Sequence, residues 1–503
     1  MIPLLSADQI REIDRATLQE QGLQDHELMW RAASRLFEHL TALLRRKKLE
    51  HAPVFVFAGP SNNGGDGLVT ALHLLQQAHH KVHVFLLSRT GSASFTYYLK
   101  LLEQHCPAQL LTAPSDFPSI PDDAVVIDAL FGTGLNRPLQ GLSAALVHHL
   151  NRYGALRVSI DLPSGLLVDV PSVEPIFQAH VTFTFQLPKL SFLFAENERY
   201  VGSWEVVDIG LSKAAIQEAS KASSLFMLEK TDVAALLQSR RRFAHKGNFG
   251  HALLLAGQPA TAGAAILCAQ ACVRSGAGLT TALIPETIRS AINCSVPEAM
   301  TASRELFEAE SLSRYTTLAA GPGMGVDPAS EYLLKNVLRH AKGPVVLDAD
   351  ALTLLSRNPM LWDSIPYNSI LTPHPGEFNR LTPPASHWLE QLQQQRNLSM
   401  SRQCIVVLKG AFTRIATPEG KVYFNPTGNH GMAKGGSGDV LTGMLAALLA
   451  QGYTPEHAAL LGVFLHGLAG DLAAQQSGTW AMTASDLISF IGPAFKHLAS
   501  SSD

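Results

Sequence analysis

Short β-rich runs, the first of them wholly apolar, recur along this chain in alternation with segments of helical spacing. VFVFAG (54–59) precedes LVTALHLLQQA (68–78), and KVHVFLL (81–87), AVVIDAL (124–130), LRVSIDL (156–162), HVTFTFQL (180–187) and WEVVDIGL (204–211) continue the series. A strand with one wet face alternates apolar and polar residues. A strand apolar at every position needs cover on both faces, the condition of a parallel sheet wrapped by helices. The pattern predicts an α/β fold.

After Leu211 the series lapses into SKAAIQEASKASS, polar and strandless, which reads as a linker over residues 213–224. A second series follows: HALLLAG (251–257), LTTALIP (279–285), YTTLAAGPG (315–323), PVVLDADAL (344–352), SILTPHPGEF (369–378) and CIVVLKG (404–410). The two halves share an architecture class but no register of self-similarity, so they are expected to be two different α/β domains, 1–212 and 225–503. A chain of 503 residues is too long for one ordinary core.

Hydrophobic residues make up 46% and charged residues 16%, the latter below the ~25% usual in soluble domains, which fits large buried cores. A net charge of -3 gives no reason to expect a nucleic-acid or membrane partner. MIPLLSADQIREIDRATLQEQG lacks the basic-then-apolar pattern of a signal peptide, and no apolar segment of 18 residues is read as spanning a membrane. The five cysteines, at 106, 268, 272, 294 and 404, form no CxxC pair. Cys268 and Cys272 stand one helical turn apart without a second pair to complete a metal site. A reduced, cytoplasmic chain that forms a homo-oligomer is the expectation.

In open parallel sheets ligands bind beyond the carboxyl ends of the strands, and the unusual polar clusters here fall at those places. GPSNNGGDGLV follows the first strand and opens a helix; Gly64, Gly65 and Gly67 allow close backbone approach, and the first amides of the helix face an anion. The stretch is neither GxxxxGK[ST] nor GxGxxG. FGTGLNRPL (131–139) adds a second glycine turn with Arg137, and DLPSGL (161–166) adds Asp161 and Ser164. Two such turns and an arginine suit a pyrophosphate or dinucleotide. For Asn62, Asn63 and Asp66 taken singly, Asx-turns remain an alternative. Asn63, Asp128 and Ser164 form an oxygen-only, singly negative set, which suits a hard monovalent cation better than zinc.

NNGGDGLV, DALFGTGLNRPL, DLPSGL and TFTFQLPK resemble the N-terminal domain of the NAD(P)H-hydrate repair enzymes across residues 5 to 211. The resemblance implies a Rossmann-like three-layer sandwich that interconverts the R and S forms of NADHX and NADPHX, cofactors hydrated at C6 of the nicotinamide ring. It implies a substrate site at Asn62, Asn63, Gly64, Gly65 and Asp66 and at Gly132, Thr133, Gly134, Leu135, Asn136, Arg137 and Pro138. It also implies Asp161 as acid/base and substrate contact, and Asn63, Asp128 and Ser164 as ligands of a potassium ion. Ser61 stands where that family usually has glycine. One carboxyl group can serve as acid and then as base while the ring nitrogen expels the hydroxyl; no lysine or cysteine nucleophile is required, and none is evident in these motifs.

The second half carries a stronger element. GGSGD (435–439) runs into VLTGMLAALLA, where Val440, Leu441, Met444, Leu445 and Leu448 recur at helical spacing. The unsatisfied first amides and positive dipole end of that helix form an anion hole. Asp439 is placed either to take a proton from an attacking hydroxyl or merely to cap the helix. Lys409 can balance a phosphate or sit solvated in its loop, and His374 in LTPHPGEF can be structural or can line a substrate.

GGSGD with NPTGN resembles the ribokinase-like fold. The full set HKGNFGHALLLAG, AAGPGMG, LDADAL, LTPHPGEF, VVLKG, NPTGN and GGSGDVLTG is similar to the NAD(P)HX dehydratase domain across residues 225 to 500. This implies removal of water from S-NAD(P)HX at the expense of ADP, with Mg²⁺ on the nucleotide. It implies substrate contacts from Ala264, Gly323, His374 and Asp439, with Asp439 as the catalytic base. It implies adenylate contacts from Lys409, Gly410, Ala411, Phe412, Thr413 and Gly438. Ser437 replaces a frequent threonine, and Lys434 receives no role. The competing reading is a small-molecule kinase of pyrimidine type with a non-catalytic N-terminal binding module.

Overall fold

The computed structural model describes residues 1–78 and 80–500. It divides into two compact units, Pro3–Ser223 and Met1–Ile2 with Ser224–Asp503.

In the first unit seven strands form one sheet in the spatial order Ala108–Leu110, Val82–Leu86, Val54–Ala58, Val125–Ala129, Leu156–Ile160, Val181–Phe185 and Ser203–Val207. Every pairing is parallel. Val54–Ala58 and Val125–Ala129 are buried at every position, so both faces are covered, as their apolar sequence demands. The chain first winds outward from Val54–Ala58 through Val82–Leu86 to Ala108–Leu110, then returns to the other side at Val125–Ala129. That reversal makes the carboxyl ends of Val54–Ala58 and Val125–Ala129 a topological switch point, and SNNGGDG and FGTGLNRPL start there.

The expected linker is a helix instead. Lys213–Ala222 is capped by the Ser212 hydroxyl, which accepts from the Ala215 amide at 3.1 Å, and it belongs to the first unit. A polar sequence without strands had concealed a short helix with exposed faces.

The second unit is built on a mixed rather than an all-parallel sheet. From Leu225–Met227 the order is Val422–Phe424, Arg414–Ala416, Ile405–Leu408, Ile370–Leu371, Val345–Leu347, Thr317–Ala320, His251–Leu255, Leu279–Ile284 and Met300–Ser303. Arg414–Ala416 is antiparallel to both neighbours. Two long apolar runs shorten into a strand plus a helix start: Val345–Leu347 gives way to the helix Ala349–Arg357, and Ile370–Leu371 to Pro375–Leu381. Ala252, Leu254, Ala319 and Val346 share one core with the helices Ala262–Arg274, Ser437–Ala450, Pro455–Ala481 and Ala484–Ala499. The architecture is the ribokinase-like one.

One helix among the described residues, Pro455–Ala481, is long and apolar enough to cross a membrane by length and composition alone. Two thirds of its apolar window is buried inside the domain, so its hydrophobicity is that of a core helix.

Candidate active sites

At the switch point of the first unit, Asn62 opens the helix Asn62–Gln76. The N-cap residue Ser61 gives no side-chain hydrogen bond, so the first amides of the helix are left for another partner. The glycines have a second purpose that the sequence reading missed. A methyl group on Gly64 would lie 1.8 Å from the Gly59 carbonyl oxygen, and one on Gly67 2.5 Å from the Ala129 methyl. One on Gly65 would lie 2.4 Å from Met29 Sδ. Backbone at Gly64 and the Ala129 methyl at Gly67 cannot yield, so these two must be glycine whatever binds at the helix start, whereas the Met29 side chain facing Gly65 can move.

Asn63 is buried against Gly132, whose added methyl would stand 3.2 Å from the Asn63 amide, and Asn63 Nδ2 is buried with no hydrogen-bond partner. Asp128 is wholly buried. Its Oδ1 accepts from Ser164 Oγ at 2.6 Å and the Leu130 amide at 3.2 Å, and its Oδ2 from the Ser164 amide at 2.8 Å and Ser159 Oγ at 3.2 Å. Burial pushes the Asp128 carboxyl up to about 6, and the hydrogen bonds from Ser164 oppose that rise. Ser164 Oγ in turn accepts from the Phe131 amide at 2.9 Å. Asn63, Asp128 and Ser164 thus surround the turn at residues 130–132.

The Asn63 amide at that turn has hydrogen-bonding capacity that no protein group takes up. Amide oxygen and nitrogen are interchangeable in placement, so the free atom becomes an acceptor on flipping, and the donor set fits a hard cation. Beyond the turn, Thr133 and Leu135 are half-buried, whereas Gly134, Asn136, Arg137 and Pro138 are exposed.

Asp161 lines a cavity together with Asp14, Thr133, Gln186 and Lys189. Its φ of 62° is left-handed, an uncommon conformation for aspartate. Its Oδ1 lies 2.9 Å from Lys189 Nζ and accepts from the Phe185 amide at 3.1 Å and from Thr184 Oγ1 at 3.2 Å. Lys189, to which the sequence reading gave no role, is thus the ion-pair partner of Asp161. Lys189 is 1% exposed and also donates to Thr184 Oγ1 and the carbonyls of Phe185 and Leu187. It lies within TFTFQLPK, a motif read as a strand with its following turn. Asp66 is buried in its helix; burial, then the charges of Asp161 and Asp14, hold its carboxyl well above the usual range.

In the second unit the helix Ser437–Ala450 starts after Gly436, whose φ of +96° and cramped side-chain position require glycine. Gly436 is the N-cap; Asp439 lies inside the first turn and gives no capping bond, which removes the capping explanation for it. The helix is buried almost all round from Val440 to Leu448, not on one face alone, because a methyl on Gly443 would meet the Cys268 carbonyl oxygen at 2.1 Å. His466 Nε2 lies 2.9 Å from the Ser437 carbonyl oxygen.

Asp439 stands among charges that the motifs did not assign. Burial, then the charge of Asp348, pushes its carboxyl up to about 6, with Lys409 opposing and Asp350 adding to the rise. Asp348 is 1% exposed; its Oδ1 takes Lys409 Nζ at 2.7 Å and its Oδ2 the Thr442 hydroxyl at 2.8 Å. A methyl on Gly438 would lie 3.2 Å from Lys409 Nζ, so the ammonium lies at the helix start. Lys409 is thus an ion-pair partner of Asp348, while Gly410 to Thr413 form a separate turn closed by Thr413 Oγ1 onto the Gly410 carbonyl at 2.9 Å.

His374 caps the helix Pro375–Leu381: its Nδ1 accepts from the amides of Gly376 and Glu377, while its own amide donates to Glu377 Oε2 at 2.8 Å. Half of its ring remains exposed. Ala264 and Gly323 are brought together, a methyl on Gly323 falling 3.2 Å from the Ala264 methyl. The Gly323 loop is tied to the Asp348–Asp350 corner, because the Gly325 amide donates to Asp350 Oδ2 at 2.9 Å. Cys268 and Cys272 are buried free thiols. Among the described residues, no group of three or more His, Cys, Asp or Glu could hold a metal ion.

Two family models match the chain: one described as YjeF-related protein N-terminus over residues 25–191, the other as NAD(P)H-hydrate dehydratase over residues 252–493. The bifunctional NAD(P)H-hydrate repair enzyme of Moorella thermoacetica is 36% identical, covering 98% of this chain and 97% of that protein. This chain belongs to the bifunctional NAD(P)H-hydrate repair enzyme family. The repair enzyme of Escherichia coli is 32% identical over 96% of this chain and 92% of its own length. A solved structure from Streptococcus mutans, 26% identical, covers 55% of this chain and 100% of that one with a TM-score of 0.50. Family membership over nearly the whole chain makes it an enzyme with an epimerase and a dehydratase domain. It removes the reading as a pyrimidine-type kinase with a non-catalytic first half.

Proposed function

We propose that this chain repairs nicotinamide cofactors hydrated at C6: the first unit interconverts R- and S-NAD(P)HX, and the second dehydrates the S form with ADP. The observation that carries the second step is Asp439, a half-buried carboxyl raised to about 6 inside the first turn of a glycine-led helix, beside the Lys409–Asp348 pair.

Hydroxide is a poor leaving group and phosphate a good one. Asp439 takes the proton of the C6 hydroxyl, and the oxygen so exposed attacks the terminal phosphorus of ADP, releasing AMP. The amides of Ser437, Gly438 and Asp439 and the Lys409 ammonium steady the charge on the transferred group. The ring nitrogen then expels phosphate, and loss of a C5 proton restores the ring double bond. ADP and a hydrate are consumed; AMP, phosphate and NAD(P)H result. Magnesium would sit on the nucleotide phosphates rather than in a protein cage, as it commonly does.

Ala264, Gly323 and His374 are read as the wall against which the hydrate lies, with Gly410 to Thr413 against the adenylate. In the first unit, Asn62 to Asp66 and residues 132–138 are read as the dinucleotide site. Asn63, Asp128 and Ser164 would hold a potassium ion, which supplies positive charge near the phosphates; the unpartnered Asn63 amide supports this.

The test is stoichiometric. Purified S-NADHX and ADP given to the enzyme should yield NADH, AMP and phosphate in equal amounts, and Asp439→Asn should abolish all three. ADP left intact while NADH forms would refute phosphoryl transfer.

A further inference from the structure

Epimerisation at C6 needs a proton that can be given to the leaving hydroxyl and then recovered from the returning water. Asp161 is poorly suited to that traffic. One of its oxygens is occupied by an ion pair with Lys189 and by two hydrogen-bond donors. That arrangement fits an acceptor-only carboxylate.

The cavity holds a second carboxyl group with no such restraint. Asp14 lines it together with Asp161, Thr133 and Lys189, and among the described residues no donor engages its carboxyl. Its helix, Ala7–Gln21, is fixed over the cavity: the Ser212 amide donates to Thr17 Oγ1 at 2.9 Å, and Gln21 Nε2 to the Gly210 carbonyl at 3.1 Å. Thr17 follows Asp14 by less than one turn, so the anchor holds the carboxyl in place. The charged groups facing it are Asp161 and Lys189 in the cavity, Asp25 on the next helix and Asp66 behind.

Resting on the epimerase reading above, we infer that Asp14 carries the proton of the epimerisation and that Asp161, held by Lys189, is the fixed anion facing the cationic ring. The Asp14 carboxylic acid protonates the C6 hydroxyl; the C6–O bond breaks as the nitrogen lone pair forms the C6–N double bond, and water leaves. Water adds to the opposite face, and its proton returns to the Asp14 carboxylate. One proton is lent and one recovered, with no other reactant. Burial, followed by the charge of Asp161, pushes Asp14 up to about 7, Lys189 opposing; acid and base forms are then both populated at neutral pH, as this work requires.

The test uses the full chain and a mixture of R- and S-NADHX without ADP, following exchange between the epimers by proton NMR. Asp14→Asn should slow exchange by about 10²- to 10³-fold while ADP-dependent dehydration of the S form stays intact. Wild-type exchange should decline above pH about 7, where the Asp14 acid is lost. Asp14→Glu should recover part of the rate, with that decline displaced. Asp161→Asn should move it to lower pH, since the charge of Asp161 raises Asp14. Asp14→Asn exchanging within threefold of wild type, or Asp14→Glu keeping the wild-type decline unmoved, would overturn the assignment. A wild-type chain that does not exchange the epimers would overturn the epimerase reading itself.

Discussion

Lys409 Nζ lies 2.7 Å from Asp348 Oδ1, joining residues 61 positions apart, and the pair stands beside Asp439 at the start of the helix Ser437–Ala450. The two partners act on Asp439 in opposite directions, Asp348 raising its carboxyl and Lys409 lowering it. If Asp439 is the base, as proposed, it works in its ionised form, so dehydration should fail as pH drops through about 6. Asp348→Asn should move that acid limb to lower pH and Lys409→Met to higher pH. Dehydration pH–rate profiles of the three proteins check this, and limbs moving in the same direction would contradict it.

The same carboxyl opposes folding. Its folded pKa is raised from 3.8 to about 6, so the folded state disfavours its charged form. The cost is absent below its unfolded value, grows between the two values and is complete above pH about 6. Asp439→Asn should therefore be inactive yet more stable by roughly 1–2 kcal/mol at pH 7.5, with the gain vanishing near pH 4. Melting curves of the second unit at the two pH values measure it.

Glycines at the two sites should respond differently to alanine. At Gly64 the methyl would lie 1.8 Å from the Gly59 carbonyl oxygen, and backbone cannot yield. Gly64→Ala should cost about 1–3 kcal/mol or more and lower the melting temperature of the first unit. At Gly438 the nearest atom is the mobile end of Lys409, 3.2 Å away. Gly438→Ala should keep its melting temperature but lose about 10²-fold in dehydration, because the ammonium is displaced. Thermal melts beside dehydration rates separate the two effects.

If Asn63, Asp128 and Ser164 hold potassium, the ion stabilises the first unit by mass action, about 2.7 kcal/mol at a hundred times its dissociation constant. Replacing potassium chloride by choline chloride at constant ionic strength should lower that unit's melting temperature. Asn63→Ala should remove the dependence. An equal response in wild type and variant would argue against the site.

The sheets were legible because their long central strands are buried on both faces and almost wholly apolar, as in VFVFA and VVIDA. Ala108–Leu110, Arg414–Ala416 and Val422–Phe424 were not, being three residues each with polar or aromatic members. In PVVLDADAL the strand reading ran too far, because the chain turns helical immediately after Asp348. The motif glycines and Asp439 announced themselves by clustering near strand ends. Asp14, Lys189 and the Asp348–Thr442 contact did not: each gains its meaning from a partner distant in sequence, and local spacing carries no trace of such pairing.

The most direct test of the central claim supplies a mixture of R- and S-NADHX with ADP and follows NADH absorbance to completion. Two active domains predict recovery of all the hydrate as NADH, the R form included. Recovery that stops at the S fraction would contradict the epimerase half, and no recovery with either ADP or ATP would contradict the dehydratase half.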